Sequence, residues 1–176
     1  MKINTIFVVS TNRSDYGLLQ VLIKKLNENK KYRLIVVRLL DKKNKNLDNS
    51  IEITWQEEII PYTVSSKDFR ESINGSLEIG KNFLKLIKQN YPKLIIILGD
   101  RYELLSIVSQ SLIAKIPVAH ISGGEITLGA IDDKIRNMVS FAADIHLVAH
   151  EEAKERLTTI LGKNNEDNIH VVGEPG

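Results

Sequence analysis

Between His120 and Asn137 the chain reads HISGGEITLGAIDDKIRN. Three carboxylates (Glu125, Asp132, Asp133) and one guanidinium (Arg136) crowd around a double glycine. Gly123 and Gly124 let the backbone approach a ligand closely or adopt positive φ. Glu125 projects from that turn. Asp132 and Asp133 stand near the start of the next helix, where acidic side chains suit the helix dipole. Arg136 follows them at i+4 and i+3, so it can pair with either. A capped helix with a surface ion pair explains one aspartate and the arginine. It does not explain the double glycine and Glu125 as well.

Two other stretches carry similar chemistry. In LGDRYE, Gly99 permits a tight exit from a strand, and Asp100 then sits at the strand's carboxyl end. A carboxylate there can serve as acid or base if burial raises its pKa. Arg101 can meet a phosphate, or the Asp–Arg pair can simply order the turn. In STNRSDYGLL, Arg13 lies beside a helix expected to start near Asp15. Free N–H groups at a helix start attract phosphate; alternatively Ser14 or Asp15 only caps the helix. The dinucleotide fingerprint G-x-G-x-x-G is missing there. His120 precedes the glycine turn and is a candidate for lining the cleft, with Ser122 beside it. His146 and His150 fall across a strand and its exit, not on one helical face, so no metal site is expected.

The elements that must position these residues alternate from end to end. Strands are predicted at 5–10, 33–40, 51–55, 93–99, 117–121, 144–150 and 168–173. Helices are predicted at 15–29, 67–90, 102–114, 131–142 and 151–162, with Gly75 and Gly80 weakening the second. The lysine-rich segment 41–50 reads as a polar loop or an anion site. Such alternation implies a Rossmann-like doubly wound parallel sheet, in which ligands bind at the carboxyl ends of the strands. All three polar stretches follow strands and are expected on that edge. The chain reaches a Gly-Glu-Pro-Gly turn just after the last strand, where a second domain is expected to begin.

Bulk composition limits the alternatives. The 176 residues suffice for one domain with a full core. A net charge of +2 gives no reason to expect nucleic acid or an anionic membrane as partner. The lack of cysteine excludes disulfides, thiolate zinc sites and a cysteine nucleophile. Trp55 and the five tyrosines form no stripe suited to base stacking. Apolar runs such as LIIIL are too short to span a bilayer. The basic-then-apolar start reads as a first strand, not a leader, so a cytoplasmic protein is expected.

Four stretches, NRSDYGLL, LGDRYE, AHISGGEITLGAIDDKIR and VVGEPG, occur in an order and spacing that resembles the hydrolysing UDP-N-acetylglucosamine 2-epimerases of sialic acid synthesis and their relatives on the legionaminic acid route. The resemblance implies one half of a glycosyltransferase-B-like two-domain architecture, with residues 1–176 as the N-terminal Rossmann-like domain and the nucleotide sugar between domains. It implies loss of the C2 proton and of UDP from C1 to give a glycal, then addition of water. Under it, Asp100, Asp132 and Asp133 are acid/base candidates oriented by Arg136, and Glu125 is a further carboxylate of the reacting or sugar-binding group. Arg13, Gly17 and Arg101 would hold the nucleotide. His120, Ser122, Gly123 and Gly124 are sugar-side candidates. No metal or redox cofactor is implied; the partner is a UDP-sugar, and a homo-oligomer is left open. The chain departs from the family pattern at Asn137, where a histidine usually stands, and in lacking the TGxHL stretch after the second strand. Rival readings are a glycosyltransferase of related architecture and a non-catalytic sugar-nucleotide-binding or interaction domain.

Overall fold

The computed structural model describes residues 4–43, 53–65, 67–127 and 131–175. They form two compact units, Met1–Lys93 and Leu94–Gly176. Among the described residues, seven strands and five α-helices give the expected Rossmann-like α/β fold, and the pairings within each unit are parallel.

The first unit holds β1 (Asn4–Ser10), α1 (Arg13–Glu28), β2 (Tyr32–Asp41), β3 (Gln56–Tyr62) and α2 (Phe69–Asn90). Its strands run in the order β3-β2-β1. The apolar run of β1 is buried along six of its seven residues, as expected of a strand covered on both faces. Phe7 meets Phe83 of α2 edge to face, with centroids 6.2 Å apart. Burying each such ring contributes about 1.5–3 kcal/mol. Gly75, which weakened the helix prediction, has a packing reason. A Cβ there would lie 1.9 Å from the Thr63 carbonyl oxygen, so only glycine lets α2 lie against the exit of β3.

The third strand corrects the sequence reading. A strand was expected at 51–55, but 53–55 carry no strand, and 51–52 lie outside the described residues, as do 44–50 of the lysine-rich loop. The strand runs over QEEIIPY instead. Its charges and Pro61 disguised it. Paired to β2 on one side at the end of this unit's strand order, an edge strand tolerates a missing N–H. Its polar residues have partners: Arg33 donates to Gln56 Oε1 at 2.8 Å, and Arg38 pairs with Glu57 at 3.2 Å.

The second unit holds β4 (Leu94–Leu98), α3 (Glu103–Ile113), β5 (Val118–Ile121), α4 (Ile131–Ala142), β6 (Ile145–Val148), α5 (Glu151–Leu161) and β7 (Ile169–Val171). The strand order is β4-β5-β6-β7. The predicted elements are all present, with strand ends trimmed by one to two residues. Among the described residues no helix is long and apolar enough to cross a membrane.

Candidate functional site

In the first unit α1 begins at Arg13, earlier than expected. Asn12, not Ser14 or Asp15, is the cap: its side-chain oxygen accepts the Asp15 N–H at 2.8 Å. Asp15 instead accepts a hydrogen bond from Thr11 Oγ1. Arg13 is exposed at the first helical position, and Gly17 is exposed one turn on, with nothing within 4 Å of where a Cβ would stand. No packing constraint calls for glycine at Gly17.

Beneath this turn lies a polar cluster that sequence reading missed. The Tyr16 hydroxyl donates to Glu57 Oε1 at 2.6 Å, and Trp55 Nε1–H donates to the same oxygen at 3.2 Å. The Arg38 guanidinium pairs with Glu57 Oε2 and stacks 4.1 Å above the Tyr16 ring. Burial, reinforced by Glu57, pushes the Tyr16 hydroxyl up to about 12. The four residues come from α1, β2, β3 and the position just before β3, and no local spacing announces them.

In the second unit the glycine turn at Gly99, with φ +81°, ends β4 and releases Asp100. Asp100 does not pair with Arg101, and Arg136 does not pair with Asp132 or Asp133. Instead Arg136 Nη2 donates to Asp100 Oδ2 in a largely buried ion pair. Arg101 is gripped by Glu103, at 2.8 Å and 3.3 Å through two guanidinium nitrogens. Both local alternatives give way for one reason. Chain folding brought the β4 exit against α4, and a contact between distant elements displaced the local ones.

Arg136 is 8% exposed, yet its Nε and Nη1 are buried with no hydrogen-bond partner among the described residues. Unfilled buried donors are costly. A guanidinium with one fork edge on a carboxylate and two donors to spare suits an oxygen-rich ligand. Asp132 and Asp133 are half-buried on the first turn of α4, and Asp133 Oδ1 accepts the Thr127 N–H at 3.3 Å.

His120, expected to line a cleft, is fully buried. Its Nε2–H donates to the Gly99 carbonyl at 2.7 Å, which leaves Nδ1 to accept from Ser140 Oγ at 3.0 Å. Burial drives its pKa down to about 4, so the ring is neutral. Thus two parallel links join the β4 exit to α4: Asp100 to Arg136, and Gly99 through His120 to Ser140. Arg136 and Ser140 lie one turn apart on the same helix face.

The double glycine faces the protein, not open space. A Cβ on Gly123 would meet His120 Nδ1 and Ser140 Oγ at 3.1 Å; one on Gly124, at φ +78°, would lie 2.4 Å from the Ala153 carbonyl oxygen of α5. Ser122 takes φ +60° and donates its N–H to Leu147 O at 2.9 Å. Glu125 Oε1 lies 3.1 Å from His150 Nε2, in contact but not aligned as a hydrogen bond. His150 is the N-cap of α5, and His146 lies buried within β6.

The chain is similar to known proteins in sequence and in fold. The chain is 32% identical over 160 residues to the GDP/UDP-N,N'-diacetylbacillosamine 2-epimerase (hydrolyzing) of Campylobacter jejuni, covering 86% of this chain and 41% of that protein. It is 29% identical over 179 residues to the UDP-N,N'-diacetylbacillosamine 2-epimerase (hydrolyzing) of Legionella pneumophila, covering 99% and 47%. The chain therefore spans about half the length of the curated relatives it matches. In fold it is similar to the crystal structure of UDP-GlcNAc 2-epimerase from Neisseria meningitidis bound to UDP-GlcNAc, with a TM-score of 0.81 at 17% identity over 97% of this chain and 46% of that one. The family described as UDP-N-acetylglucosamine 2-epimerase matches residues 23–176. On that match, which takes in all of the chain from the middle of α1 onward, the protein belongs to the UDP-N-acetylglucosamine 2-epimerase family.

Proposed function

We propose that this chain is the N-terminal, Rossmann-like half of a hydrolysing nucleotide-sugar 2-epimerase that converts UDP-N-acetylglucosamine and water into N-acetylmannosamine and UDP. The observation that carries the reading is the Asp100–Arg136 pair, with two buried Arg136 donors left without a partner among the described residues at the exit of β4. In the reaction a base removes the C2 proton while the C1–O bond to UDP breaks, leaving a C1=C2 double bond. Water then adds its hydroxyl to C1, and a proton returns to C2 from the opposite face. Carboxylates move the protons, and cations stabilise the departing diphosphate. Asp100, Asp132 and Asp133 are the proposed acid/base groups. Arg136 orients Asp100, and Arg13 with the open face at Gly17 receives the nucleotide. Arg101 serves the nucleotide only if it yields part of its grip on Glu103.

A second substrate is favoured by the relatives named for N,N'-diacetylbacillosamine: a UDP-diacetamido sugar undergoing the same chemistry, as in legionaminic acid synthesis. The two differ only in the sugar, so the reaction assigned to each residue is unchanged. A cytoplasmic location of the intact protein is part of the same proposal. The remaining half of the relatives' length is proposed to supply the opposite wall of the cleft. Alone, the 176 residues should turn over little, because half a cleft neither excludes water nor clamps a diphosphate.

The test is titration of this chain with UDP, UDP-N-acetylglucosamine and the UDP-diacetamido sugar, with product analysis. Binding of UDP on the order of 1 mM without turnover fits a few phosphate contacts. In a chain extended to the relatives' length, free UDP and the 2-epimeric sugar should appear. Full activity in an extended Asp100→Asn, Asp132→Asn variant would overturn the assignment.

A further inference from the structure

The first turns of α5 carry polar groups that the reaction scheme does not use. Arg156 Nη1 donates to the Gly124 carbonyl. His150 spends Nδ1 on accepting the Ala153 N–H at 3.3 Å, so its proton sits on Nε2, the nitrogen 3.1 Å from Glu125 Oε1. The glycines at Gly123 and Gly124 let α5 close on the turn, with Ala153 and Leu157 where Cβ atoms would be. Glu125 thus lies in a turn held by α5, which follows it only after α4 and β6.

We propose that His150 and Arg156 are positioning residues that hold Glu125 for the sugar part of the ligand. The proposal rests on the functional reading above. An ionised carboxylate only accepts hydrogen bonds and repels phosphate. The ligand groups that fit Glu125 are therefore neutral donors: sugar hydroxyls or an acetamido N–H. Its side chain is 28% exposed, so such a donor can reach it.

The test uses His150→Ser, which keeps a good N-cap for α5 but removes the contact to Glu125, together with Arg156→Met and Glu125→Gln. NMR titrations follow the affinity of the whole chain for UDP and for UDP-N-acetylglucosamine. Loss of a hydrogen bond from the sugar to Glu125 is worth about 3- to 10-fold in affinity. The expected result is that loss for the UDP-sugar, with UDP unchanged and the melting temperature of His150→Ser close to wild type. Amide resonances of Gly124 and Glu125 should shift in both α5 variants. Equal weakening of both ligands, or no change in either, overturns the proposal while leaving the functional reading intact. Wild-type protein that binds neither ligand overturns both.

Discussion

Asp100 and Arg136, 36 positions apart, close on each other at the exit of β4, and among the described residues two buried donors of Arg136 have no partner. The pair is asymmetric. The Asp100 side chain is 23% exposed and the Arg136 side chain 10%. Asp100→Asn strands the more buried charge and should destabilise the chain by about 1–3 kcal/mol. Arg136→Met leaves a carboxylate that water can reach and should cost less. Urea unfolding of the two variants checks the order. A larger loss for Arg136→Met would mean that the guanidinium is satisfied by other means.

Two glycines make opposite predictions. Gly17 sits exposed in α1 with open space around it. Gly17→Ala should stabilise the chain by about 0.5–1 kcal/mol through helix propensity, while weakening UDP if the nucleotide lies on that face. Gly124→Ala forces a Cβ onto the Ala153 carbonyl at positive φ. It should cost more than about 2 kcal/mol. Thermal melts and a UDP titration read both.

His120 makes the fold acid-sensitive. Its folded pKa is about 4 and its ordinary value 6.5. Between those values the unfolded chain binds a proton that the folded chain refuses. Stability from this group is therefore complete above about 6.5 and declines as pH falls toward about 4, by up to about 3 kcal/mol. His146, also lowered by burial, acts in the same direction. Imidazole NMR should show His120 still neutral at pH 5. A charged ring at that pH contradicts the Gly99–His120–Ser140 link.

Tyr16 predicts an alkaline counterpart. Its hydroxyl is held up to about 12 by burial and Glu57. The unfolded chain releases that proton near 10, so stability contributed here falls as pH rises from about 10 toward 12. Ultraviolet titration should leave Tyr16 protonated at pH 11, and Tyr16→Phe should remove a late step from the curve. Five tyrosines ionised together by pH 11 would contradict the cluster.

The sequence by itself determined the alternation of strands and helices, because an apolar run or a 3.6-residue period declares which faces are buried. It also marked Asp100, Glu125, Asp132, Asp133 and Arg136, since charge beside glycine at a strand exit has few structural uses. It failed at β3, where the pattern depends on partners from β2 rather than on its own residues. It left open who pairs with whom. Spacing allowed Arg136 to meet Asp132 or Asp133 and Asp100 to meet Arg101, whereas the tertiary structure gave Arg136 to Asp100 and Arg101 to Glu103. The double glycine was legible as a special turn, but only packing showed that α5 occupies the space it clears. Burial sets charge pairing and pKa, and burial is a property of elements brought together from distant parts of the chain, which spacing along one segment does not encode.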